Sequence, residues 1–384
     1  MKRRILLLGV VLYAAVAVSQ QAESSGVSDF SSAIRHHAVA YVAKAEGDAG
    51  VAAGPTDAVG AAAQQPASPA PQNKKASKTK TGGELERPTI DSSMVGYIDN
   101  AIVGSEVRVR FDAAFNDQFP DRAEFVYAKC GCYKMQPQTR QIYDANAPGP
   151  PGPNVPDNVN FQTLAFMAEY APKGNARFSA FVEIPFRWLQ PQGPGSTPAF
   201  PNGAGISDVT AGLKFALIAS SSRYLTAQLT SFFPSGSAFH GLGTAHYSLA
   251  PEILYYQRLP NKFEIEGELG GWLPIGGSAG APTNGPQGFA GPIFFYGIGP
   301  SYRLVDNDQF RLAPVIELVG WTVTGGQETS TPPVNASGTN IVNMKFGARM
   351  TFAGRNSVYV GYGAALTSAD WYGKIVRVEY RHAF

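Results

Sequence analysis

Three glutamates recur at every second position, Glu264, Glu266 and Glu268 in the stretch FEIEGEL, and Glu252 stands shortly before them. Arginines repeat in the same manner at Arg108 and Arg110, and again at Arg377 and Arg381 around Glu379. A spacing of two puts like charges on one face of an extended strand, because successive side chains alternate across it. Such ladders act through their field: they attract or reject ions, order water and orient dipoles wherever the face is shielded from bulk solvent. His246 and Ser248 offer a different chemistry, the base and hydroxyl of a nucleophilic pair. Cys130 and Cys132 either close a small strained ring or pair between molecules. They lack the further nearby ligands that a metal site needs.

The elements that must position these groups are strands. VRVRF, FSAFVEIPFRW, VTAGLKFAL, FEIEGEL and VNMKFGARMTF each alternate apolar and polar residues. Twelve such segments are predicted, at about 105–115, 159–171, 176–189, 206–219, 223–234, 246–258, 262–274, 291–305, 308–323, 341–353, 356–367 and 371–384. Their connections alternate in length. PKGN, SSS, LPN, DND and AGRN are tight, whereas 116–158, 190–205, 235–245, 275–290 and 324–340 are long, with a short last one near Ser368–Asp370. One end of the sheet is therefore turned and the other looped, the pattern of an outer-membrane barrel with short periplasmic turns and longer extracellular loops. The expected fold is all-β, a transmembrane outer-membrane β-barrel of about twelve antiparallel strands over residues 105–384.

Composition agrees. Only 16% of residues are charged and 44% are hydrophobic, with 42 Gly and 29 Pro in 384 residues, which excludes collagen and coiled coil. A net charge of +2 gives no field for a nucleic-acid partner. No apolar run beyond residue 18 is long enough for a membrane helix. Lys2, Arg3 and Arg4 before the apolar Ile5–Val18 read as a signal peptide, residues 1–22, cleaved between Ala17 and Ala22. Residues 23–88, rich in Ala, Gly and Pro and then in Lys, read as a disordered periplasmic linker. Residues 89–104 are either a periplasmic lead-in to the first strand or a plug inside the lumen.

The last strand, VRVEYRHAF, ends on Phe384 with Tyr380 on the same face. It resembles the C-terminal signal read by the barrel assembly machinery, which makes that machinery and outer-membrane lipid the expected partners. GISDVTAGLKFALI is similar to the G-x-x-D-x-x-x-G-x-K strand of outer-membrane transporters grouped with the phenol-degradation MetA-pathway family. FFPSGSA resembles the turn that follows it there, with Ser235 in place of the usual threonine. GLGTAHYSLAPEILYYQRL resembles the family's next loop and strand. The resemblance spans roughly residues 160–384 and implies a transporter-like barrel; it identifies no substrate.

In such a barrel the ladders are expected to line the pore: Arg108, Arg110, Glu252, Glu264, Glu266, Glu268, Arg377, Glu379 and Arg381. An acidic wall on strands six and seven would face a basic wall at the seam of strands one and twelve. The other reading is lateral neutralisation, with Arg303 and Arg311 paired to the glutamates in a filled interior. An outer-membrane phospholipase also carries His-x-Ser on a strand. Here strand six turns His246 and Ser248 toward the lumen, and the Asn expected twelve positions on is Arg258. The chain is therefore read as a non-enzyme with no cofactor, passing small solutes. The alternatives are a non-conducting structural barrel and, least favoured, a lipid hydrolase.

Overall fold

The computed structural model describes residues 93–117, 158–173, 177–192, 202–237, 241–244, 246–275, 290–328 and 334–384. The leader, the linker through residue 88, and Cys130 and Cys132 lie outside them. Twelve long strands are formed: β1 (Glu106–Asp117), β2 (Asn158–Tyr170), β3 (Phe178–Gln192), β4 (Val209–Ala219), β5 (Arg223–Phe233) and β6 (Tyr247–Arg258). They continue with β7 (Phe263–Ile275), β8 (Ile293–Tyr302), β9 (Phe310–Val323), β10 (Asn340–Phe352), β11 (Asn356–Ala365) and β12 (Lys374–Ala383).

Each strand pairs antiparallel with its neighbours in sequence, and β12 pairs with β1 from Glu106↔Ala383 to Phe115↔Lys374. The sheet closes on itself, so no edge is left for uncontrolled pairing. Five tight connections lie at one end of the barrel; the other end carries five long ones and the short last one between Ala365 and Lys374. At the turned end, β10 and β11 are joined through Ala353 (φ 47°) and Gly354 (φ 63°), two left-handed residues in succession as a primed hairpin turn requires.

The burial pattern is inverted relative to a soluble protein. Outward positions are large and apolar: Phe166, Phe215, Ile298, Ile316 and Phe346 are all about half exposed. Inward positions are charged and covered: Glu264, Glu266, Glu317, Arg349 and Glu379 have no accessible surface. Only a hydrocarbon surround makes such an exterior favourable, and only closure satisfies every strand amide there. The fold is a transmembrane β-barrel.

Strand ends differ from the sequence expectation where a side chain leaves the alternation. The segment expected at 206–219 is two pieces: Gly203–Ile206 adds to β3 opposite Phe186–Leu189, and β4 begins only after Ser207 and Asp208. The twelfth strand starts at Lys374 rather than 371, because Trp371 and Tyr372 turn inward to join a cluster with Phe161, Leu189, Ile341 and Ile375. The segment expected at 291–305 ends at Tyr302, and Val305–Asp306 folds back onto Arg311 and Leu312 of β9.

Candidate functional site

Residues 93–104 run inside the barrel. Ser93 enters near the turned end, where Arg381 and Glu266 reach it. The chain rises to an apex at Gly96–Tyr97–Ile98 and returns, so that Ala101, Ile102 and Val103 pack against Ala171, Ala216, Ala219 and Tyr256 near the turned end. We call this re-entrant segment the strap. Most of its side chains are covered: Met94, Val95 and Ala101 have no accessible surface and Ile98 has 2%, while Tyr97 and Asp99 are half-buried.

The strap is held by its backbone. The amides of Met94 and Val95 donate to Glu266 at 2.7 and 3.3 Å. Those of Gly96, Tyr97 and Ile98 converge on the carboxylate of Glu317 at 3.0, 2.8 and 2.9 Å. The amide of Asp99 donates to Glu268 at 3.0 Å. Six successive N–H groups thus meet three carboxylates. The carbonyls meet arginines: Met94 and Val95 accept from Arg349 at 3.2 and 2.6 Å, Val95 also from Arg381 at 3.2 Å, and Gly96 from Arg377 at 2.6 Å. Successive amides aimed at one anion make a concave nest, which favours negative charge.

This arrangement needs both walls. Among the described residues, Glu266, Glu268 and Glu317 have no salt-bridge partner. A buried carboxylate without a cation is costly unless hydrogen bonds satisfy it, and here the strap's amides do so. The arginines are fixed from behind. Glu379 lies 2.8 Å from Arg349 Nη2, 2.6 Å from Arg381 Nε and 3.8 Å from Arg108 Nη1. Arg377 forks onto Asp112 at 2.6 and 2.8 Å across the β12–β1 seam.

All nine residues named from the sequence lie on the inner face, each with partners. Arg108 and Arg110 pair with Glu183 at 3.3 and 2.7 Å. Glu252 accepts from Gln228 at 2.6 Å, and Gln228 also donates to Asp99 of the strap at 2.8 Å. Glu264 pairs with Arg258 at 3.3 Å and Arg303 at 3.4 Å, near the turned end. Arg311, considered as a partner for the glutamates, pairs with Asp306 at 2.8 Å. Glu266, Glu268, Arg377 and Arg381 hold the strap, and Glu379 fixes two of its arginines. Thus the acidic and basic walls face one another across a polypeptide, with lateral pairing at their margins.

Sequence reasoning missed Glu317, whose flanking inward residues Val315 and Val319 are apolar, so strand nine shows no charge ladder. It placed Arg349 and Lys345 on a polar strand face without assigning them to the site. The room for the strap comes from small residues on both sides. A Cβ at Gly96 would lie 2.2 Å from the Tyr359 ring, and one at Gly299 on β8 would lie 2.6 Å from Val95.

At the apex, the Tyr97 ring sits between two cations, Lys345 Nζ at 3.9 Å and Arg377 Cζ at 4.2 Å from its centroid. Tyr359 meets it edge-on at 6.0 Å. Trp321 and Trp371, with ring centroids 4.8 Å apart, lie toward the looped end beside it. His246 and Ser248 are buried on the inner face; His246 Nδ1 lies 2.9 Å from the Thr244 carbonyl, where an orienting carboxylate would have to stand. Asp208, the aspartate of the transporter-like motif, accepts from the Gly236 amide at 3.0 Å and from the amide and hydroxyl of Thr244, both at 2.8 Å. That motif fastens the looped end together.

No protein-family model matches the chain, and no curated protein matches it. Solved structures similar to it include an outer membrane channel from Pseudomonas putida F1, at 11% identity over 76% of this chain and 99% of that chain, TM-score 0.47. Another is the β domain of the Bordetella autotransporter BrkA, at 14% identity over 73% and 100% of the two chains, TM-score 0.39. The NanC porin is similar at 7% identity over 73% and 99%, TM-score 0.37. At these identities the likeness is one of barrel architecture.

Proposed function

We propose that the protein is an outer-membrane channel for small solutes, closed by the strap and opened when the strap leaves the lumen. The observation that carries this reading is the manner of attachment. Among the described residues, every hydrogen bond between residues 93–104 and the barrel runs through a barrel side chain, and none joins strap backbone to strand backbone. The strap can therefore leave without breaking any bond of the β-sheet, which a merely structural filling would not require. Entry and exit at the turned end, taken as periplasmic, keep that movement on the side of the linker. The motif resemblance to MetA-pathway transporters accords with solute passage, and no catalytic role is assigned to His246 and Ser248.

The test is planar-bilayer conductance of the refolded full chain and of a variant whose residues 93–104 are replaced by Gly and Ser at equal length, with gel mobility before and after boiling as the folding control. The variant is expected to give large stable steps and the native chain rare ones. A folded variant that stays silent would leave the non-conducting structural barrel as the correct reading.

A further inference from the structure

We infer that the lumen is a binding site for short peptides, and that the strap occupies it as a built-in pseudo-ligand; the inference rests on the channel reading for its route of access. What the walls recognise is the peptide unit itself. Glu266, Glu317 and Glu268 take six consecutive amides, and Arg349, Arg381 and Arg377 take the carbonyls of Met94, Val95 and Gly96. No strap side chain takes part in any of these bonds, so another chain of the same backbone course satisfies them equally.

When the strap departs, the two walls respond differently. Arg349 and Arg381 retain Glu379, and Arg377 retains Asp112. The three glutamates lose the six amides, and among the described residues Glu317 keeps only the Tyr359 hydroxyl at 3.0 Å. The vacated lumen then presents unsatisfied acceptors opposite anchored donors, spaced for a polar backbone. Simple anions fail against the glutamates, and a cation meets only half of the site. A peptide supplies N–H groups to one wall and C=O groups to the other.

The seats for side chains narrow the class. Gly96 has no room for a Cβ beside Tyr359, so the peptide carries glycine there. The next position enters the slot between Lys345 and Arg377, which favours an aromatic ring. The Tyr97 hydroxyl has no hydrogen-bond partner in that slot, so phenylalanine fits as well. The residue before the glycine packs on Val315 and Val319 and is apolar. The ligand class is a short peptide with an apolar–Gly–aromatic core.

The experiment uses the Gly/Ser strap-replacement barrel, with tryptophan fluorescence as the binding readout, since Trp321 borders the slot, and current block as the second. Probes are acetyl-Ala-Gly-Phe-Ala-amide, the same sequence with the Gly–Phe and Phe–Ala amides replaced by esters, and free phenylalanine. The tetrapeptide is expected to quench and to block. The ester analogue should bind at least tenfold more weakly, and free phenylalanine should have no effect. Glu317→Gln in the same background should weaken the tetrapeptide at least tenfold. Equal binding of amide and ester forms, or no binding of the tetrapeptide at millimolar concentration, overturns the inference while leaving a conducting variant as evidence for the channel. Binding without conductance overturns the channel reading alone. Should the replacement barrel not fold, Gly96→Ala, whose Cβ has no room beside the Tyr359 ring and so drives the strap from its seat while leaving both walls unchanged, supplies a second barrel for the same titration.

Discussion

At the scale of single residues, two glutamates hold opposite responsibilities. Glu317 is a ligand of the strap: its carboxylate accepts three backbone amides and the Tyr359 hydroxyl at 3.0 Å. Glutamine keeps the shape but loses the charge and turns one acceptor into a donor facing amides. Hydrogen bonds to charged groups contribute about 1.5–3 kcal/mol, so Glu317→Gln should raise the open probability by roughly tenfold to a hundredfold, read as single-channel dwell times. Unchanged dwell times would remove Glu317 from the latch. Glu379 belongs instead to the barrel. Replacing it with alanine leaves Arg349 and Arg381, both almost completely buried, without a carboxylate within reach. Breaking a buried pair from one side costs about 3–5 kcal/mol. Glu379→Ala should therefore reduce the heat-modifiable folded fraction at a urea concentration where the native barrel survives. A normal unfolding midpoint would show that solvent reaches these arginines.

At the scale of elements, the strands were legible because alternation and turn chemistry are local. FEIEGEL and VRVEYRHAF declare their two faces without reference to anything else. The strap was legible only as one of two alternatives for residues 89–104, and its course was not legible at all. PTIDSSMVGYID carries no charge ladder and no period, and its place is set by acceptors 169 to 221 residues away in sequence. The wall charges were found for the same reason that the strands were, but their purpose depends on what lies between them. A turn shows how electrostatics can still be read locally: Asp306, in the β8–β9 connection, lies between Arg303 of the same connection and Arg311 at the start of β9. Partial burial pushes its carboxyl up, but Arg311 and then Arg303 outweigh that and hold it below the ordinary value. A carboxyl lowered on folding stabilises the fold above its unfolded value, about pH 4, and that contribution is lost as pH falls through the folded value. Asp306→Asn should therefore flatten the dependence of the urea midpoint on pH in the acid range, with a small loss at neutral pH because the pair is partly solvated. An unchanged acid limb would place the acid sensitivity elsewhere.

At the scale of the whole molecule, closure and delivery are separate problems with separate energetics. Closure rests on the β12–β1 ladder, on Arg377–Asp112 across it, and at its end on the Phe384 amide donating to the Ser105 carbonyl at 3.2 Å. The Phe384 ring itself is 65% exposed and faces outward, so in the finished barrel it contributes little to packing. Removing it costs one hydrogen bond, worth about 1 kcal/mol, against a seam of many. Refolding of the truncated chain in detergent, followed by gel mobility before and after boiling, should therefore be close to native. Assembly in cells should fall severely if the terminal aromatic is read by the assembly machinery before the barrel closes, because recognition acts on the unfolded chain, where the seam does not yet exist. The two measurements together isolate that role. A parallel loss in both would make Phe384 a part of the seam's stability, and native levels in both would deny the terminus any part in assembly.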